Sequence, residues 1–258
     1  MTAHLIQDYR RRNEDAPLDL VKESDDWKPV VRCINGWAKQ PLDEKSGYSS
    51  QDLDYWSTTH RVDFPPTLRE WWRLAGRHPL VDPGLLHDHA KFLSPQDRYL
   101  FRNELLTVAV DDIQTWSCNG IHVDFLSERD PEIHGINGTI GPDDDPSLTW
   151  YKGQFIATGL RVPALVFATL LCHLFAPNRS IRDGAVYLEV ERRDLRGGQP
   201  DERLVSELGL TRFPNDTIVG DIYSDSADII YWWLRGCACR TAEAAERVRK
   251  TVPTRLRA

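Results

Sequence analysis

A helix can be predicted directly from residues 64–76, which read FPPTLREWWRLAG. Pro66 suits the first helical position, because the N–H that proline lacks would have no partner inside a helix there. The apolar residues fall on one face at helical spacing: Leu68, Trp71, Trp72 and Ala75. Gly76 predicts a left-handed end of the helix. Because two adjacent tryptophans on a short helix are unfavourable in water, we expect this helix to dock against the rest of the fold.

Elements of both kinds surround this helix. Apolar residues at helical spacing predict an amphipathic helix over residues 28–39, and residues 1–27 are interpreted as a loose arm or a short first helix. Residues 40–63 are interpreted as a polar connection with room for one more helical turn. Further helices are predicted at residues 161–175, at residues 202–208 with a stop at Gly209, and after Thr241, which is predicted to cap the last helix. Strands are predicted at residues 105–110, 121–125, 150–157, 184–191, 217–223 and 228–234, and a loop at residues 127–147. Because strands and helices do not alternate strictly, an α+β fold is favoured over a doubly wound α/β sheet.

The order of these signals resembles that of the SUKH superfamily, which includes bacterial immunity proteins related to a yeast cell-wall-synthesis regulator. The family opens with Leu-Pro-x-x-Leu-Arg, then an aromatic pair, then a helix that ends in Gly. This sequence has Phe64 in place of Leu. The other positions that match are Pro65, Leu68, Trp71, Trp72 and Gly76.

Further motifs follow in the family's order, a strand running into an acid-Asn-Gln turn and then a loop with Asp-Pro. Two positions depart from the family, with Ile113 where Asn is usual and Asn119 where Trp is usual. The positions that match are Gln114, Gly120, Asp130 and Pro131. The resemblance extends over residues 28–175, and over residues 184–252 in element order alone.

The resemblance implies a single mixed β-sheet flanked by helices. We therefore expect residues 28–258 to form one SUKH-like α+β domain behind a loosely ordered arm at residues 1–27. In bacteria the family implies an immunity protein that binds and neutralises a toxin, often a nuclease. It implies neither a cofactor nor catalytic residues.

Charge is the second guide to function. The sequence holds 32 Lys and Arg against 39 Asp and Glu, a net charge of −7, which argues against nucleic acid as the main partner and suits a basic protein. Seven acids stand between residues 124 and 145: Asp124, Glu128, Asp130, Glu132, Asp143, Asp144 and Asp145. Such a stretch would steer a basic toxin, and Trp150 and Tyr151 would supply the apolar anchor. Alternatively, these residues are hydrated loops that keep the protein soluble.

Neither a metal site nor a catalytic centre is predicted. His87 and His89 would both reach one ion from a strand, but they lie in a loop rich in Pro and Gly without a third ligand at suitable spacing. Cys237 and Cys239 have no second pair at zinc spacing. We therefore expect no enzymatic activity and no cofactor. An enzyme would need a pocket that gathers His87, His89 and two acids.

Two functional hypotheses remain, and both describe a binding protein. The first is the immunity protein, and the second is a regulatory scaffold or adaptor for an endogenous protein partner. Residues 1–17 lack the apolar region of a signal peptide, and the longest apolar run is too short to span a bilayer, so we expect a cytoplasmic protein without a membrane partner. No oligomeric state follows from the sequence.

Overall fold

The computed structural model describes residues 15–81, 91–97, 100–102, 104–110, 118–136, 155–174, 183–190, 202–212, 222–225, 228–232, 236–251 and 256–257. The helices in these residues are α1 (Leu18–Glu23), α2 (Lys28–Trp37), α3 (Ser50–His60), α4 (Pro66–Ala75), α5 (Val162–Leu174), α6 (Glu202–Glu207) and α7 (Ala242–Thr251). One turn of 3-10 helix, η1, spans Val123–Phe125.

The described strands are β1 (Lys91–Phe92), β2 (Phe101–Arg102), β3 (Leu105–Val110), β4 (Cys118–His122), β5 (Glu132–Ile136), β6 (Phe155–Arg161), β7 (Val186–Val190), β8 (Thr211–Arg212), β9 (Ile222–Ser224), β10 (Ile229–Trp232), β11 (Gly236–Cys239) and β12 (Leu256–Arg257). The chain divides into two compact units. Unit 1 comprises Met1–Val31 and Leu42–Thr169, and unit 2 comprises Arg32–Pro41 and Leu170–Ala258. Both α2 and α5 contribute residues to each unit.

The α+β class is confirmed, but the single mixed sheet is wrong. The described strands form two antiparallel sheets. Sheet A, in unit 1, has the order β1-β3-β4-β5-β6 with β2 paired to β3, and sheet B, in unit 2, has the order β12-β7-β11-β10-β9-β8. Neighbouring strands such as β4 and β5 are joined by a short connection, which suits an antiparallel pair. A parallel pair would need a crossover of a dozen residues or more. The buried helix α5 leads from sheet A to sheet B and is no crossover within one sheet.

Helix α4 lies at the core of unit 1, as the sequence predicts. Trp71 is fully buried with its ring centroid 5.2 Å from that of Phe92 on β1. The indole N–H of Trp72 donates to the carbonyl oxygen of Leu93 at 3.1 Å, and the ring of Phe64 meets Trp72 edge-on at 4.9 Å. The two tryptophans therefore fix the helix against the β1 side of sheet A.

Gly76 ends α4 for a reason other than the predicted one. Its φ of −61° is right-handed, so the expected left-handed stop is wrong. A Cβ at this position would lie 2.7 Å from the carbonyl oxygen of Trp72 and 2.8 Å from the ring of Tyr48. Glycine is required because the chain approaches too closely for any side chain.

The segment before α2 is more ordered than a loose arm. Residues 18–23 form α1, in line with the second interpretation of residues 1–27, and residues 1–14 lie outside the described part. Trp27 is 1% exposed and stacks on Trp71 with centroids 5.9 Å apart. The buried side chains of Trp27 and Val21 therefore anchor this segment to the core of unit 1.

Unit 2 has its own apolar core between sheet B and α7. Ala244, Ala245 and Val248 of α7 are buried with Leu188, Cys237 and Cys239 of the sheet. The backbone N–H of Ala244 donates to the Thr241 hydroxyl at 3.1 Å, which confirms the predicted cap of this helix. Both cysteines are fully buried, and burial raises the pKa of the Cys239 thiol to about 12. They serve as small core residues of the strand.

Three local predictions differ from the structure. The predicted strand at residues 121–125 ends at His122 and continues as the η1 turn, and β5 lies inside the predicted loop at residues 127–147. Helix α3 occupies a region predicted to be mainly a polar connection, and it begins at a capping box between Ser49 and Asp52. No helix in the described ranges is long and apolar enough to cross a membrane.

Candidate protein-binding surface

The motif residues that carry the family resemblance fall mostly in the core of unit 1. The buried motif residues are Phe64, Pro65, Leu68, Trp71, Trp72, Gly76, Gly120 and Pro131. Gly120 of β4 faces the β3 backbone so closely that a Cβ would lie 2.3 Å from the carbonyl oxygen of Leu106. Gln114 and Ile113 lie outside the described residues, and Asn119 is half-buried on β4.

The segment that contains Asp130 and Pro131 is fastened to the start of α4. The carbonyl oxygen of Arg129 accepts two hydrogen bonds from Thr67, one from the backbone N–H at 3.1 Å and one from the hydroxyl at 2.6 Å. These contacts bring together two motifs that are 62 residues apart in the sequence.

Glu70 of α4 reinforces this junction. Its carboxylate accepts from the Arg129 guanidinium at 3.1 Å and from the indole N–H of Trp27 at 3.0 Å. The Glu70 carboxylate therefore links Trp27, the residue before α2, to Arg129 in the segment before β5. Charge-assisted hydrogen bonds of this kind are stronger than neutral ones.

Asp130 faces inward. Burial raises the pKa of its carboxyl group, and the charges of Asp26 and Glu70 raise it further. The Arg161 guanidinium and a backbone hydrogen bond from Val162 act in the opposite direction but do not cancel the rise. Within the described part of the chain, its Oδ1 atom is buried without a hydrogen-bond partner. This carboxylate is turned toward the protein interior and is poorly placed for a partner.

The Glu132 carboxylate is also engaged in a hydrogen bond within the fold. Its Oε1 atom accepts the backbone N–H of Gly159 at 2.9 Å. Gly159 has a left-handed φ of +73° and lies where the pairing of β5 with β6 shifts register between Glu132 and His134. The carboxylate thus satisfies a backbone donor that the irregularity leaves out of the ladder.

Asp124 and Glu128 are the predicted partner-binding residues that face solvent in the described structure. The Asp124 side chain is 77% exposed, with Oδ2 3.4 Å from Nδ1 of His122. The Glu128 side chain is 50% exposed, with Oε2 3.9 Å from a guanidinium nitrogen of Arg161. The remaining predicted partner-binding residues lie outside the described residues: Asp143, Asp144, Asp145, Trp150 and Tyr151.

A cluster of aromatic rings beside Asp124 was missed from the sequence. The rings of Phe125 and His134 stack with centroids 5.4 Å apart, and His122 lies 6.1 Å from His134 and 5.0 Å from Phe155. The register that pairs Gly120 with His134 places these rings on one face of sheet A. The sequence does place His122 and Phe125 in one short stretch, which could have indicated a ring cluster. The alternation of apolar and polar residues there predicts a strand instead.

A second candidate is a cleft of about 170 Å³ at the N-terminal end of α4, lined by Asp15, Asp54, Asp63, Arg69, Glu70 and Arg129 among others. Arg69 donates to both oxygens of Asp15, at 2.8 and 3.0 Å, and to Asp54 at 2.9 Å. Burial acts to raise the pKa of Asp15, yet hydrogen bonds from Arg69 and Ser50 hold it below its usual value. Arg69 and Arg129 thus pair with Asp15, Asp54 and Glu70 inside the cleft, which favours a structural role.

No arrangement of three or more His, Cys, Asp or Glu groups suited to a metal ion occurs in the described ranges. His87 and His89, the best metal candidates in the sequence, lie outside those ranges. No family model, curated protein or solved structure compared with this chain matches it.

Proposed function

We propose that the protein is a SUKH-like binding protein without enzymatic activity, an immunity protein that binds and neutralises a basic, nuclease-type bacterial toxin. The observation that carries this proposal is the double hydrogen bond from Thr67 to Arg129. It joins the α4 motif to the Asp130-Pro131 motif, the two described stretches on which the resemblance mainly rests. Their contact supports treating them as parts of one structural signature.

The charge of the protein supports a basic partner. The net charge is −7, and the solvent-facing carboxylates Asp124 and Glu128 lie close together in the sequence on unit 1. An acidic surface attracts a basic domain from a distance and speeds its association. Nuclease active sites and their surroundings are basic because they hold phosphates, so a tightly bound acidic protein would compete with nucleic acid there.

Neutralisation would follow from coverage of the toxin. A stable protein interface buries about 1,200–2,000 Å² in total, which is enough to cover an active site. In that mechanism this protein supplies shape, charge and apolar contacts, and no bond is made or broken. Cytoplasmic residence belongs to the same proposal, because a toxin that enters the cell must be met there.

Affinity purification of the tagged full chain from its own cells, mixed with lysates of neighbouring strains, tests the proposal. We expect one basic domain to be recovered near one-to-one and to be identified by mass spectrometry. Recovery of several housekeeping proteins would support the regulatory scaffold instead. Recovery of nothing above a tag-only control would count against both.

A further inference from the structure

The η1 turn presents two apolar side chains to solvent. Val123 and Phe125 are each 37% exposed, although the alternation of the sequence predicts that both face inward. Two backbone N–H groups hold the turn in place: that of Val123 donates to the Glu104 carbonyl oxygen at 2.8 Å, and that of Asp124 donates to Nδ1 of the His122 side chain at 3.3 Å. The exposure is therefore a consequence of how the chain leaves β4.

The Phe125 ring is held in place by contacts with neighbouring rings. Its ring lies nearly parallel to that of His134, with an angle of 5° between the planes. His122 lies 6.0 Å from Phe125 and meets Phe155 edge-on. An exposed aromatic ring that is already fixed loses little side-chain entropy on binding, which is the property of an interface anchor.

Three carboxylates border this anchor, those of Glu104, Asp124 and Glu128, and the third lies 3.9 Å from a guanidinium nitrogen of Arg161. Glu104 and Asp124 flank the His122 ring at 3.7 and 3.4 Å, and their side chains are 70% and 77% exposed. Across the described residues, no Lys or Arg forms an ion pair with either of them. Glu128 follows within the same turn, since its N–H donates to the Phe125 carbonyl at 3.0 Å.

We propose that residues 122–128 together with Glu104, here called the η1 surface, form the docking site for a basic protein. Val123 and Phe125 enter an apolar spot on the partner, and Glu104, Asp124 and Glu128 pair with its Lys and Arg side chains. This assignment rests on the proposed function and gives its partner-binding site an anchor other than Trp150 and Tyr151. An apolar centre with a charged rim is the usual anatomy of a specific protein interface.

Leu20 on α1 provides a matched comparison. It is 67% exposed and follows Asp19, so it repeats the acid–apolar pair of Asp124 and Phe125. It lies on a short helix with a basic residue, Lys22, in its last turn. If exposure alone decided the docking site, Leu20 would be favoured. A fixed aromatic ring bordered by carboxylates favours Phe125 instead.

The probe is an N-acetylated pentapeptide amide with a central tryptophan between two Lys-Arg pairs, and the control peptide carries Glu at the four basic positions. Amide and methyl NMR spectra of the full chain are recorded during titration. We expect the basic peptide to shift signals of residue 104 and residues 122–128, and the acidic peptide to shift none of them. Asp124→Lys with Phe125→Ala should weaken peptide binding about tenfold. Asp19→Lys with Leu20→Ala, of equal charge change, should leave it within about twofold.

Shifts centred on α1, shifts spread over the surface, or equal losses in the two double variants would overturn the η1 assignment. The far-ultraviolet circular dichroism of both variants must match that of the parent, and Phe125→Leu with Asp124→Asn replaces the first variant if it does not. This result is separable from the proposed function. Peptide binding at η1 without a toxin partner would overturn the immunity proposal alone, whereas a recovered toxin domain bound equally by both variants would overturn the η1 assignment alone.

Discussion

Thr67 donates two hydrogen bonds to a single carbonyl oxygen, that of Arg129, through its backbone N–H and its hydroxyl. Thr67 is the second residue of α4, where the backbone N–H groups have no partner within the helix. The carbonyl of Arg129 therefore acts as a cap supplied by another part of the chain. This contact ties α4 to the Asp130-Pro131 segment.

Replacing Thr67 with Val should destabilise the protein by about 1 kcal/mol, because a hydroxyl hydrogen bond is lost at a site where the side chain is buried. Urea unfolding followed by tryptophan fluorescence measures the change. Thr58→Val is the matched control, since the Thr58 hydroxyl donates to the Asp54 carbonyl on an exposed face and its loss should cost less than about 0.5 kcal/mol. Equal effects of the two substitutions would contradict a special role for the Thr67 contact.

Gly76→Ala should destabilise the protein by about 1–3 kcal/mol, since the new methyl group would collide with the Trp72 carbonyl and the Tyr48 ring. Gly36→Ala is the matched control. Gly36 lies inside α2, and its nearest new contact would be the Arg240 guanidinium at 3.9 Å. That variant should be neutral or more stable by up to about 1 kcal/mol, because Ala favours helix over Gly. Thermal unfolding of both variants checks the prediction, and a tolerated Gly76→Ala would refute the close-approach argument.

Asp130 and Asp15 should have opposite effects on the pH dependence of stability. The folded-state pKa of Asp130 is raised, so its stabilising contribution is full below the unfolded pKa of about 3.9 and is lost as pH rises through the folded pKa. Asp130→Asn should therefore gain stability relative to the parent as pH rises from about 3 to 7. Chemical unfolding at several pH values measures the difference between variant and parent.

The pKa of Asp15 is lowered, and its contribution has the reverse sign. It is full above the unfolded pKa and is lost as pH falls through the folded pKa, which lies below the usual value. Asp15→Asn should thus be destabilised at pH 7, and the difference from the parent should shrink on acidification below about pH 4. If both variants changed with pH in the same direction, the inward placement of Asp130 would be wrong.

Charge reversal in the acidic stretch should slow association with a basic partner. Substituting Lys for Asp143, Asp144 and Asp145 changes the net charge from −7 to −1, since each substitution adds two charges. We expect the association rate constant at low salt to fall about tenfold and its dependence on salt to weaken. Stopped-flow fluorescence measures both quantities.

A control for this experiment carries the same charge change at another place. Asp19, Asp25 and Glu44 are exposed acids of unit 1 and lie outside residues 124–145 in the sequence. Their replacement by Lys should reduce the rate constant less than the first triple variant does. Equal reductions would show that net charge, and not the position of the acidic stretch, controls the encounter.

Local elements with strong periodicity were predictable from the sequence. Helices α4 and α5 lie within one residue of the expected positions, because Pro66, the tryptophan spacing and the long apolar run around Val166 are local signals. The cap at Thr241 and the left-handed stop at Gly209 were predictable for the same reason. In each case the decisive interaction is between residues close in sequence.

Features that depend on distant residues were not predictable. The division into two sheets depends on which strands pair, and a period of two in one strand carries no information about its neighbour. The contacts of Asp130 and Glu132 are made with Arg161 and Gly159, about thirty residues away. Similarly, Phe125 is exposed because the chain turns after His122 and meets His134, which the local alternation does not encode.

The most direct test of the central claim is a titration of this protein into the recovered basic domain, with cleavage of nucleic acid as the readout. We expect cleavage to fall linearly and to stop near one equivalent, and we expect the Asp124→Lys, Phe125→Ala variant to inhibit with an about tenfold higher Kd when the domain is diluted below that Kd. A domain that remains fully active in saturating protein would contradict the immunity function.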